Sequence, residues 1–493
     1  MIGERKLSLN IAVVARIIGW LLIIESSFMV LPLITSLIYS EPVSIRAFAI
    51  TISITLLAGV AMTFGIRPKR NSMHTREGLL LTASVWVVFS LFGCLPYMLS
   101  GTLPRFVDAY FEMMSGFSTT GASVIRDVES VAKGILLWRS MSQWLGGMGI
   151  ILFTLAVLPM LNHSGGVQLF NAEVTGLTHD KIRPRVSQTA TSLWAVYCVL
   201  SLVLLAFMWA GPMDFYDALN HTMVITSTGG FSTKNASMAH WNSMYLNIVV
   251  TVFMLLSGLN FHLLYKFAVG DRMAIWKNDV FRWTVGLLVG VGVIVGINVV
   301  LQDTMDNKLM AFVCGFFQTI SAATSTGLSA FDYEADGPFV SLMFVMVMLF
   351  GASAGSTAGG AKVDRLVLLV KNTSIQIYHL LHPNTVKVIR VNGRVVNDEV
   401  YAKCVAFLTC FFIMIAISTI LFTESGMPAF DAIFTAVSAV SNVGMGYGFT
   451  GLHGSFADMN DLCKVVFSFD MLAGRLELFT ILILFTRGFW KKS

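Results

Sequence analysis

The sequence repeats one short pattern four times, as Ser118-Thr119-Thr120-Gly121, Ser227-Thr228-Gly229-Gly230, Thr324-Ser325-Thr326-Gly327 and Ser441-Asn442-Val443-Gly444. In each copy, hydroxyl or amide residues lead into a glycine. Each copy ends an apolar segment too short to cross a bilayer, and two longer apolar runs flank it. One chain that presents the same turn four times suggests a ring around an axis. Rings of this kind form pores that recognise a dehydrated cation.

The composition is that of a membrane protein. Of the 493 residues, 55% are hydrophobic and 12% are charged, whereas about a quarter of the residues in soluble proteins are charged. Spanning a bilayer takes about 20 apolar residues. Ten runs reach that length: 11–34, 45–66, 79–99, 136–161, 193–210, 245–269, 283–301, 339–370, 405–422 and 465–485. The first run contains Arg16 and Glu25 and no cleavage-type site follows it, which predicts a retained helix rather than a signal peptide.

Positive charge is concentrated in alternate connections, which the positive-inside rule assigns to the cytoplasm. Those connections carry Arg5, Lys6, Arg67, Lys69, Arg70, Arg76, Lys181, Arg183, Arg185, Lys266, Arg272, Lys277, Lys362, Arg365, Lys371, Lys387, Arg390, Arg394, Arg487, Lys491 and Lys492. The opposite connections are mainly acidic. Both termini are therefore predicted to be cytoplasmic, and the net charge of +5 reflects topology rather than nucleic-acid binding. The six cysteines show no metal-binding spacing and are expected to act as small hydrophobic residues.

The last eight runs divide into four units of span, short segment, glycine turn and span. The short segments share an acidic residue 12 or 13 positions before the glycine: Asp108 before Gly121, Asp217 before Gly229 and Asp431 before Gly444. The third unit has Cys314 at this place. A helix of about 13 residues is near 20 Å long, so it enters the membrane without crossing it. An Asp in its first turn complements the positive helix end and leaves the negative end directed at the glycine turn.

A simpler interpretation is that these small residues only let membrane helices pack closely. Four matching turns in four units, each between spans, favour the pore instead. The predicted organisation is two N-terminal transmembrane helices in 1–72, repeat 1 in 73–186 and repeat 2 in 187–278. Repeat 3, with a broken second helix, follows in 279–382, then a cytoplasmic hairpin in 383–397 and repeat 4 in 398–493.

Three further motifs strengthen a family resemblance: Trp144-Leu145-Gly146-Gly147-Met148-Gly149, Ala354-Gly355-Ser356-Thr357-Ala358-Gly359-Gly360-Ala361-Lys362 and Gly474-Arg475-Leu476-Glu477. With the four turns and the two extra N-terminal spans, the chain resembles the TrkH-type potassium-uptake subunit of the Trk/Ktr/HKT superfamily over nearly its whole length. The resemblance implies an all-α polytopic membrane protein. Its four membrane–pore–membrane repeats would stand in a pseudo-four-fold arrangement around one pore.

The resemblance also implies that backbone carbonyls at the turns bind K⁺ as a selectivity filter. Carried over by position, the filter residues are Thr119, Thr120, Gly121, Ser227, Thr228, Gly229, Ser325, Thr326, Gly327, Asn442, Val443 and Gly444. The four glycines of this set would adopt backbone geometry closed to other residues. A glycine in every turn is similar to the K⁺-selective branch. The fourth turn lacks the Thr of the pattern.

Arg475 lies 11 residues beyond Lys464, about 16 Å along the last span and near the middle of a ~30 Å core. A charge at that depth is a functional candidate. Glu477 and Asp470 are two and five residues away, so neither is spaced for a pair on one helix face. A structural ion pair with another helix stays open. The resemblance implies instead that Arg475 faces the pore below the filter as a positive barrier.

The eighth run is too long for one upright helix, at about 32 residues or ~48 Å. Its middle, 351–360, consists of poor helix formers. It also places Gly351, Gly355 and Gly359 at helix-packing spacing, so the residues alone leave a packed helix and an unwound loop equally open. The resemblance implies an intramembrane gating loop that includes Gly351, Gly355, Ser356, Thr357, Gly359, Gly360 and Lys362.

The segment 386–396 alternates around Asn392-Gly393, which predicts a β-hairpin on the cytoplasmic side. A solvated hairpin and a docking surface are both open. The resemblance implies a homodimer and a cytoplasmic TrkA-type nucleotide-binding regulatory subunit. The chain has no GxxxxGK[ST] or GxGxxG loop of its own. We expect K⁺ and membrane lipid to be further partners. We expect no covalent cofactor and no nucleic-acid partner.

These observations predict potassium-selective uptake across a bacterial cytoplasmic (inner) membrane. The alternative is a K⁺/H⁺ or K⁺/Na⁺ secondary symporter that uses the intramembrane carboxylates Glu25, Asp470 and Glu477. An intramembrane hydrolase is disfavoured because no HExxH or GxSxG accompanies His221 and His262. The protein is therefore expected not to be an enzyme.

Overall fold

A computed structural model describes residues 9–68, 73–149, 186–452 and 454–491. Within these ranges the chain is mostly helical. The N-terminal part consists of α1 Ile11–Phe28, α2 Val30–Ile38 and α3 Pro42–Gly65. Helices α1 and α2 form one apolar stretch that packs on α3. Helices α1 and α3 approach closely at Gly19, where a Cβ would lie 2.8 Å from the carbonyl oxygen of Gly59. Small residues typically allow such contacts between membrane helices.

Four units of the same order follow. Repeat 1 contains α4 Thr75–Gly93, α5 Leu95–Leu99, α6 Phe106–Phe117 and α7 Lys133–Gly147. Repeat 2 contains α8 Val186–Trp209, α9 Phe215–Thr226, α10 Met244–Ser257, α11 Phe261–Ala268 and α12 Met273–Lys277.

Repeat 3 contains α13 Asp279–Gln302, α14 Lys308–Ala323, α15 Pro338–Phe350 and α16 Val363–Leu381. The strands β1 Arg390–Val391 and β2 Arg394–Val395 then pair antiparallel, where the sequence predicts a hairpin. Repeat 4 contains α17 Asp398–Glu424, α18 Ala429–Val440, α19 Asp461–Arg475, α20 Phe479–Leu482 and α21 Arg487–Trp490.

We call α6, α9, α14 and α18 the pore helices, and α7, α10, α15 and α19 the inner helices. The pore helices start where the sequence provides N-terminal signals. Asp108, Asp217 and Asp431 lie in the first turn of three of them. The third pore helix is longer, 16 residues against 12, so Cys314 lies beyond its first turn. There the side chain of Asn307 caps the helix by accepting from the backbone N–H groups of Leu309 and Met310.

The membrane spans differ from the ten runs read from the sequence, of which only 339–370 is predicted to contain a break. In the described ranges, six helices are long and apolar enough to cross a membrane: Ile11–Ile38, Pro42–Gly65, Thr75–Leu99, Thr189–Trp209, Asp279–Gln302 and Asp398–Glu424. The runs 245–269, 339–370 and 465–485 are not single helices. The first of them bends by 102° between Met244–Ser257 and Phe261–Ala268. Hydropathy counts apolar residues and does not register such breaks, which are stable where surrounding protein satisfies the backbone.

Some features used in the sequence analysis lie outside the described residues. These are the second half of the run 136–161 and the basic residues Arg5, Lys6, Lys69, Arg70, Lys181, Arg183, Arg185 and Lys492.

Candidate ion-binding site

Each pore helix ends in the same turn. The residue after the helix end has a left-handed backbone, with φ of 56° at Thr119, 54° at Thr228, 54° at Ser325 and 53° at Asn442. In the first turn, the N–H of Thr119 donates to the Gly116 carbonyl and the N–H of Thr120 to the Ser115 carbonyl, both at 3.0 Å. The same pair of bonds closes the other three turns. This is the Schellman end of a helix, which satisfies carbonyls that the helix leaves open.

A glycine with positive φ stands two residues further on in every repeat. These glycines are Gly121 at 89°, Gly230 at 81°, Gly327 at 74° and Gly444 at 73°. The second glycine differs from the sequence prediction, which pairs Gly229 with Gly121, Gly327 and Gly444. The matching glycine is Gly230, and its distance from Asp217 is then 13 residues, as from Asp108 to Gly121 and from Asp431 to Gly444. The spacing of 12 in the sequence was the available signal of this one-residue shift.

The four turns form a closed ring. A Cβ on Gly121 would collide with the carbonyl oxygen of Gly229, and one on Gly230 with that of Thr326. A Cβ on Gly327 would collide with the carbonyl oxygen of Val443, and one on Gly444 with that of Thr120. Each glycine thus packs against the next repeat, and the last repeat packs against the first.

The ring places four equivalent carbonyl oxygens at the contacts between successive turns: those of Thr120, Gly229, Thr326 and Val443. In each turn the three residues before the positive-φ glycine are buried and the glycine itself is half-buried, and the negative ends of four pore helices reach the turns. Asn442 joins the fourth turn to the first, because its Nδ2 donates to the Thr120 hydroxyl at 3.0 Å. Oxygens held in this way can replace the hydration shell of a cation.

A second set of residues lies behind the ring, and its role was not predicted from the sequence. The set consists of the residue nine positions before each glycine: Glu112, His221, Gln318 and Thr435, all 0% exposed. Each binds the chain that leaves its own turn. Glu112 accepts from the Val124 N–H at 2.8 Å, and Gln318 accepts from the Ala330 N–H at 3.2 Å. The fixed spacing was the signal, but the four residue types differ.

The two other members make equivalent bonds. His221 Nε2 is hydrogen bonded to the Ser232 hydroxyl at 2.9 Å, and Thr435 to the Thr450 hydroxyl at 2.9 Å. The second ring nitrogen of His221 is hydrogen bonded to the Asp217 carbonyl at 2.8 Å. His221 is thus a hydrogen-bonded core residue of the pore helix, as expected for a histidine without a catalytic motif.

Glu112 also forms a buried ion pair with Arg139 of α7, at 2.6 Å and with side-chain exposures of 0% and 4%. Arg139 donates onward to the Ser232 carbonyl of repeat 2 at 3.0 Å, and its guanidinium lies over the Phe231 ring. The pair therefore connects the pore helix of repeat 1 to the chain that follows the second turn.

The segment 351–362 is not helical and lies against the ring. The Thr357 hydroxyl contacts the carbonyls of Thr226 at 3.3 Å and Ser257 at 3.2 Å. The Gly359 N–H donates to the Ser325 hydroxyl at 2.6 Å, and a Cβ on Gly359 would collide with the Ser441 carbonyl. Of the two arrangements left open by the sequence, this segment therefore adopts the loop, and its glycines allow the close approach.

Arg475 connects this loop to repeat 1. Its guanidinium donates to the carbonyls of Gly146 at 2.6 Å, Gly147 at 2.7 Å and Thr357 at 2.8 Å. Glu477 accepts from Arg365 at 2.6 Å. Arg475 thus joins the ends of the inner helices of repeats 1 and 4 to the loop of repeat 3.

A cavity of about 250 Å³ adjoins the loop and the fourth turn. Trp86, Asn442, Arg475 and Lys362 contribute to its walls. Lys362 is buried, and its ammonium donates to the Ala358 carbonyl. Two cationic side chains therefore border the space next to a ring of carbonyl oxygens. The described residues contain no group of three or more His, Cys, Asp or Glu side chains placed to hold a metal ion.

Comparison with known proteins agrees with this architecture. The profile of the TrkH family, described as cation transport protein, matches residues 44–492. The Trk system potassium uptake protein TrkH of Escherichia coli strain K12 is 34% identical over 483 residues, covering 97% of this chain and 99% of its own. The protein of the same name from Halomonas elongata is 33% identical over 489 residues, covering 98% and 100%.

A solved structure is similar over the same extent. The crystal structure of the potassium transporter TrkH from Vibrio parahaemolyticus superposes with a TM-score of 0.87 at 31% identity, covering 98% of this chain and 100% of that one. These matches and the six apolar helices identify a multi-pass membrane protein. The chain belongs to the TrkH family of cation transport proteins.

Proposed function

We propose that the chain takes up K⁺ across a bacterial cytoplasmic membrane through a channel-like pore, with the ring of turns as its selectivity filter. The closed circle of contacts from Gly121 to Gly229 and onward to Thr120 carries this proposal. It is supported by the relatives that are named potassium uptake proteins. Both chain ends would lie in the cytoplasm, with K⁺ as substrate rather than as a resident cofactor.

In this proposal the K⁺ ligands are the backbone oxygens of the four turns. In the corrected register they belong to Thr119, Thr120, Thr228, Gly229, Ser325, Thr326, Asn442 and Val443, and Gly121, Gly230, Gly327 and Gly444 provide the close packing. Carbonyl rings select K⁺ through the size of the site and the field of the oxygens. A side chain at any of the four glycines would displace an oxygen of the neighbouring repeat.

The loop 351–362 and Arg475 are proposed to form the gate. The loop contacts the turns or pore helices of repeats 2, 3 and 4, and Arg475 holds it against the inner helix of repeat 1. A unit charge ~7 Å from a K⁺ opposes it by about 2.4 kcal/mol at an effective dielectric of ~20. Such a barrier slows conduction without blocking it.

A second candidate is a K⁺/H⁺ or K⁺/Na⁺ symporter. Two buried carboxyl groups favour it: Glu25 is 1% exposed and Asp470 is 1% exposed. Among the described residues, both oxygens of Glu25 and one of Asp470 have no hydrogen-bond partner. Buried carboxyl groups are proton sites in many transporters.

Two partners belong to the proposal. They are a second copy of the chain, as a homodimer, and a cytoplasmic TrkA-type nucleotide-binding subunit. The cytoplasmic side offers the hairpin, which is held to α13 because Asp279 accepts from the Asn392 N–H at 3.1 Å and from Lys371 at 2.7 Å. Valine side chains of the hairpin region, including Val386 and Val395, are exposed.

Purified protein in liposomes with a K⁺ gradient tests the function. We expect K⁺ flux that exceeds Na⁺ flux and a reversal potential that follows the K⁺ gradient alone. A reversal potential that shifts with a pH or Na⁺ gradient at fixed K⁺ would favour the symporter. Absence of K⁺ flux from folded protein would contradict both candidates.

A further inference from the structure

We propose that Gln143 is a filter-positioning residue that contributes to the discrimination of K⁺ from Na⁺ by holding one carbonyl of the ring. This inference rests on the proposed function, because it assigns a role to a residue behind the proposed filter. Gln143 lies on α7 of repeat 1, whereas the carbonyl that it holds belongs to the second turn.

The contact is direct and enclosed. Gln143 is 0% exposed, and its Nε2 donates to the Gly229 carbonyl oxygen at 2.5 Å. Its Oε1 accepts from the Phe231 N–H at 3.3 Å. One side-chain amide therefore binds the second turn on both sides of Gly230.

The bond makes the ring asymmetric. The ring oxygens are those of Thr120, Gly229, Thr326 and Val443. Among the described residues, Gly229 provides the only one of these four oxygens that accepts a hydrogen bond from a side chain. A carbonyl oxygen has two lone pairs, so one can accept from Gln143 while the other faces an ion.

The sequence of the second turn matches this arrangement. At the ring position the other repeats have side chains, Thr120, Thr326 and Val443, whereas the second has glycine. A Cβ on Gly229 would meet Nε2 of Gln143 at 2.8 Å and collide with its Cδ. Gly230 provides the positive φ, and Gly229 leaves room for the amide. The two consecutive glycines therefore have different structural roles.

Gln143 occupies the place of the missing side chain. In the first and third turns, the hydroxyl of the ring residue binds a hydroxyl two positions earlier: Thr120 binds Ser118 at 2.7 Å and Thr326 binds Thr324 at 2.8 Å. The second turn has Ser227 at that earlier position, but no hydroxyl at 229. The amide of Gln143 stabilises this turn from outside instead.

The consequence concerns selectivity more than stability. K⁺ and Na⁺ differ in the distance and the field of the oxygens that replace their water. A carbonyl that is fixed by an amide cannot move inward to the smaller ion as freely as an unheld one. Removing the amide should therefore improve the relative passage of Na⁺.

The test compares Gln143→Leu with wild type as full-length protein in liposomes, with K⁺ and Na⁺ flux measured separately. We expect the K⁺/Na⁺ flux ratio to fall roughly fivefold, the factor that corresponds to one hydrogen bond. The control is Asn247→Leu, which removes another buried amide, 2% exposed, on the inner helix of repeat 2. It should lower thermal stability without changing the ratio.

A rescue pair keeps the test decisive if Gln143→Leu does not fold. Gly229→Thr alone should abolish K⁺ flux, because its side chain collides with the amide. The double variant Gln143→Ala/Gly229→Thr should recover K⁺ flux, since the new hydroxyl can bind Ser227 as in repeats 1 and 3. A double variant as defective as Gly229→Thr, folded or not, would overturn the inference.

Different results would refute the role of Gln143 and the proposed function. If wild type carries K⁺ selectively and folded Gln143→Leu keeps the wild-type ratio, the role of Gln143 is wrong and the filter stands. If folded wild type carries no K⁺, the proposed function fails, and the role of Gln143 fails with it.

Discussion

Gly444 lies directly against the carbonyl oxygen of Thr120, so that the fourth turn of the chain closes on the first. The Nδ2 of Asn442 donates to the Thr120 hydroxyl in the same place. A row of four turns along a membrane would leave its two ends apart. This contact therefore distinguishes a ring from a series of small-residue helix contacts, and the predictions below depend on it.

Gly121→Ser is expected to relax K⁺ preference. The new side chain would push on the Gly229 carbonyl, and the positive φ adds about 1–2 kcal/mol of strain for a residue with a Cβ. We expect the K⁺/Na⁺ flux ratio in liposomes to fall about tenfold, equivalent to about 1.4 kcal/mol. The matched control is Gly101→Ser, because Gly101 has φ of +76° but nothing within 4 Å of a Cβ. An unchanged ratio in folded Gly121→Ser would remove the filter assignment.

Arg475→Ala is expected to raise K⁺ flux while lowering stability. Loss of the charge removes a barrier of about 2 kcal/mol, which corresponds to roughly thirtyfold in rate. The carbonyls of Gly146, Gly147 and Thr357 lose their donor, which should cost about 1–3 kcal/mol of folding free energy. Single-channel or stopped-flow flux and thermal unfolding measure the two effects.

The control for this variant is Arg126→Ala, since Arg126 pairs with Asp458 at an exposed site. It should change neither flux nor unfolding by a measurable amount. A folded Arg475→Ala protein with lower flux than wild type would assign Arg475 to a structural clamp and not to a barrier.

Thr357→Val is expected to loosen the loop 351–362. The substitution keeps the shape but removes the hydroxyl that contacts the carbonyls of Thr226 and Ser257. If these contacts hold a closed gate, losing about 1 kcal/mol should raise basal K⁺ flux several-fold. Thr423→Val, at an exposed helical hydroxyl, is the control. Equal flux in the two variants would argue against gating by this loop.

Glu112→Gln is expected to destabilise the protein strongly. It keeps the shape of the side chain but leaves Arg139 as an uncompensated charge at 4% side-chain exposure, which costs about 3–5 kcal/mol. Asp458→Asn breaks the ion pair between Asp458, whose side chain is 41% exposed, and Arg126, whose side chain is 68% exposed. This loss should cost less than about 1 kcal/mol of folding free energy. Thermal unfolding in detergent compares the two. Equal losses of stability in the two variants would mean that burial does not raise the cost of breaking the Glu112–Arg139 pair.

The local features were readable from the sequence because they depend on neighbours in the chain. Asp108, Asp217 and Asp431 mark pore-helix starts within a few residues, and a run such as 351–360 is a poor helix by its own composition. The family resemblance rested on the same short motifs. Composition supplied the membrane class and the motifs supplied the family, and the matches to TrkH proteins bear out both.

The register of the second turn could not be predicted from the local sequence in the same way. Ser-Thr-Gly-Gly offers two glycines, and only the backbone torsions identify Gly230 as the partner of Gly121. The break after Ser257 was equally hidden, since backbone and side-chain groups at this break bind distant residues, as when Asn260 donates to the Ala354 carbonyl at 2.8 Å.

The sequence by itself determined a polytopic helical protein with four short helices that each end in a glycine turn, because periodicity, length and capping are local properties. Only the tertiary structure decided that the four turns meet, that Arg475 joins three repeats, and that Gln143 reaches the Gly229 carbonyl. These contacts join residues from different repeats. Their formation depends on how helices pack around an axis, which no local pattern in the chain encodes.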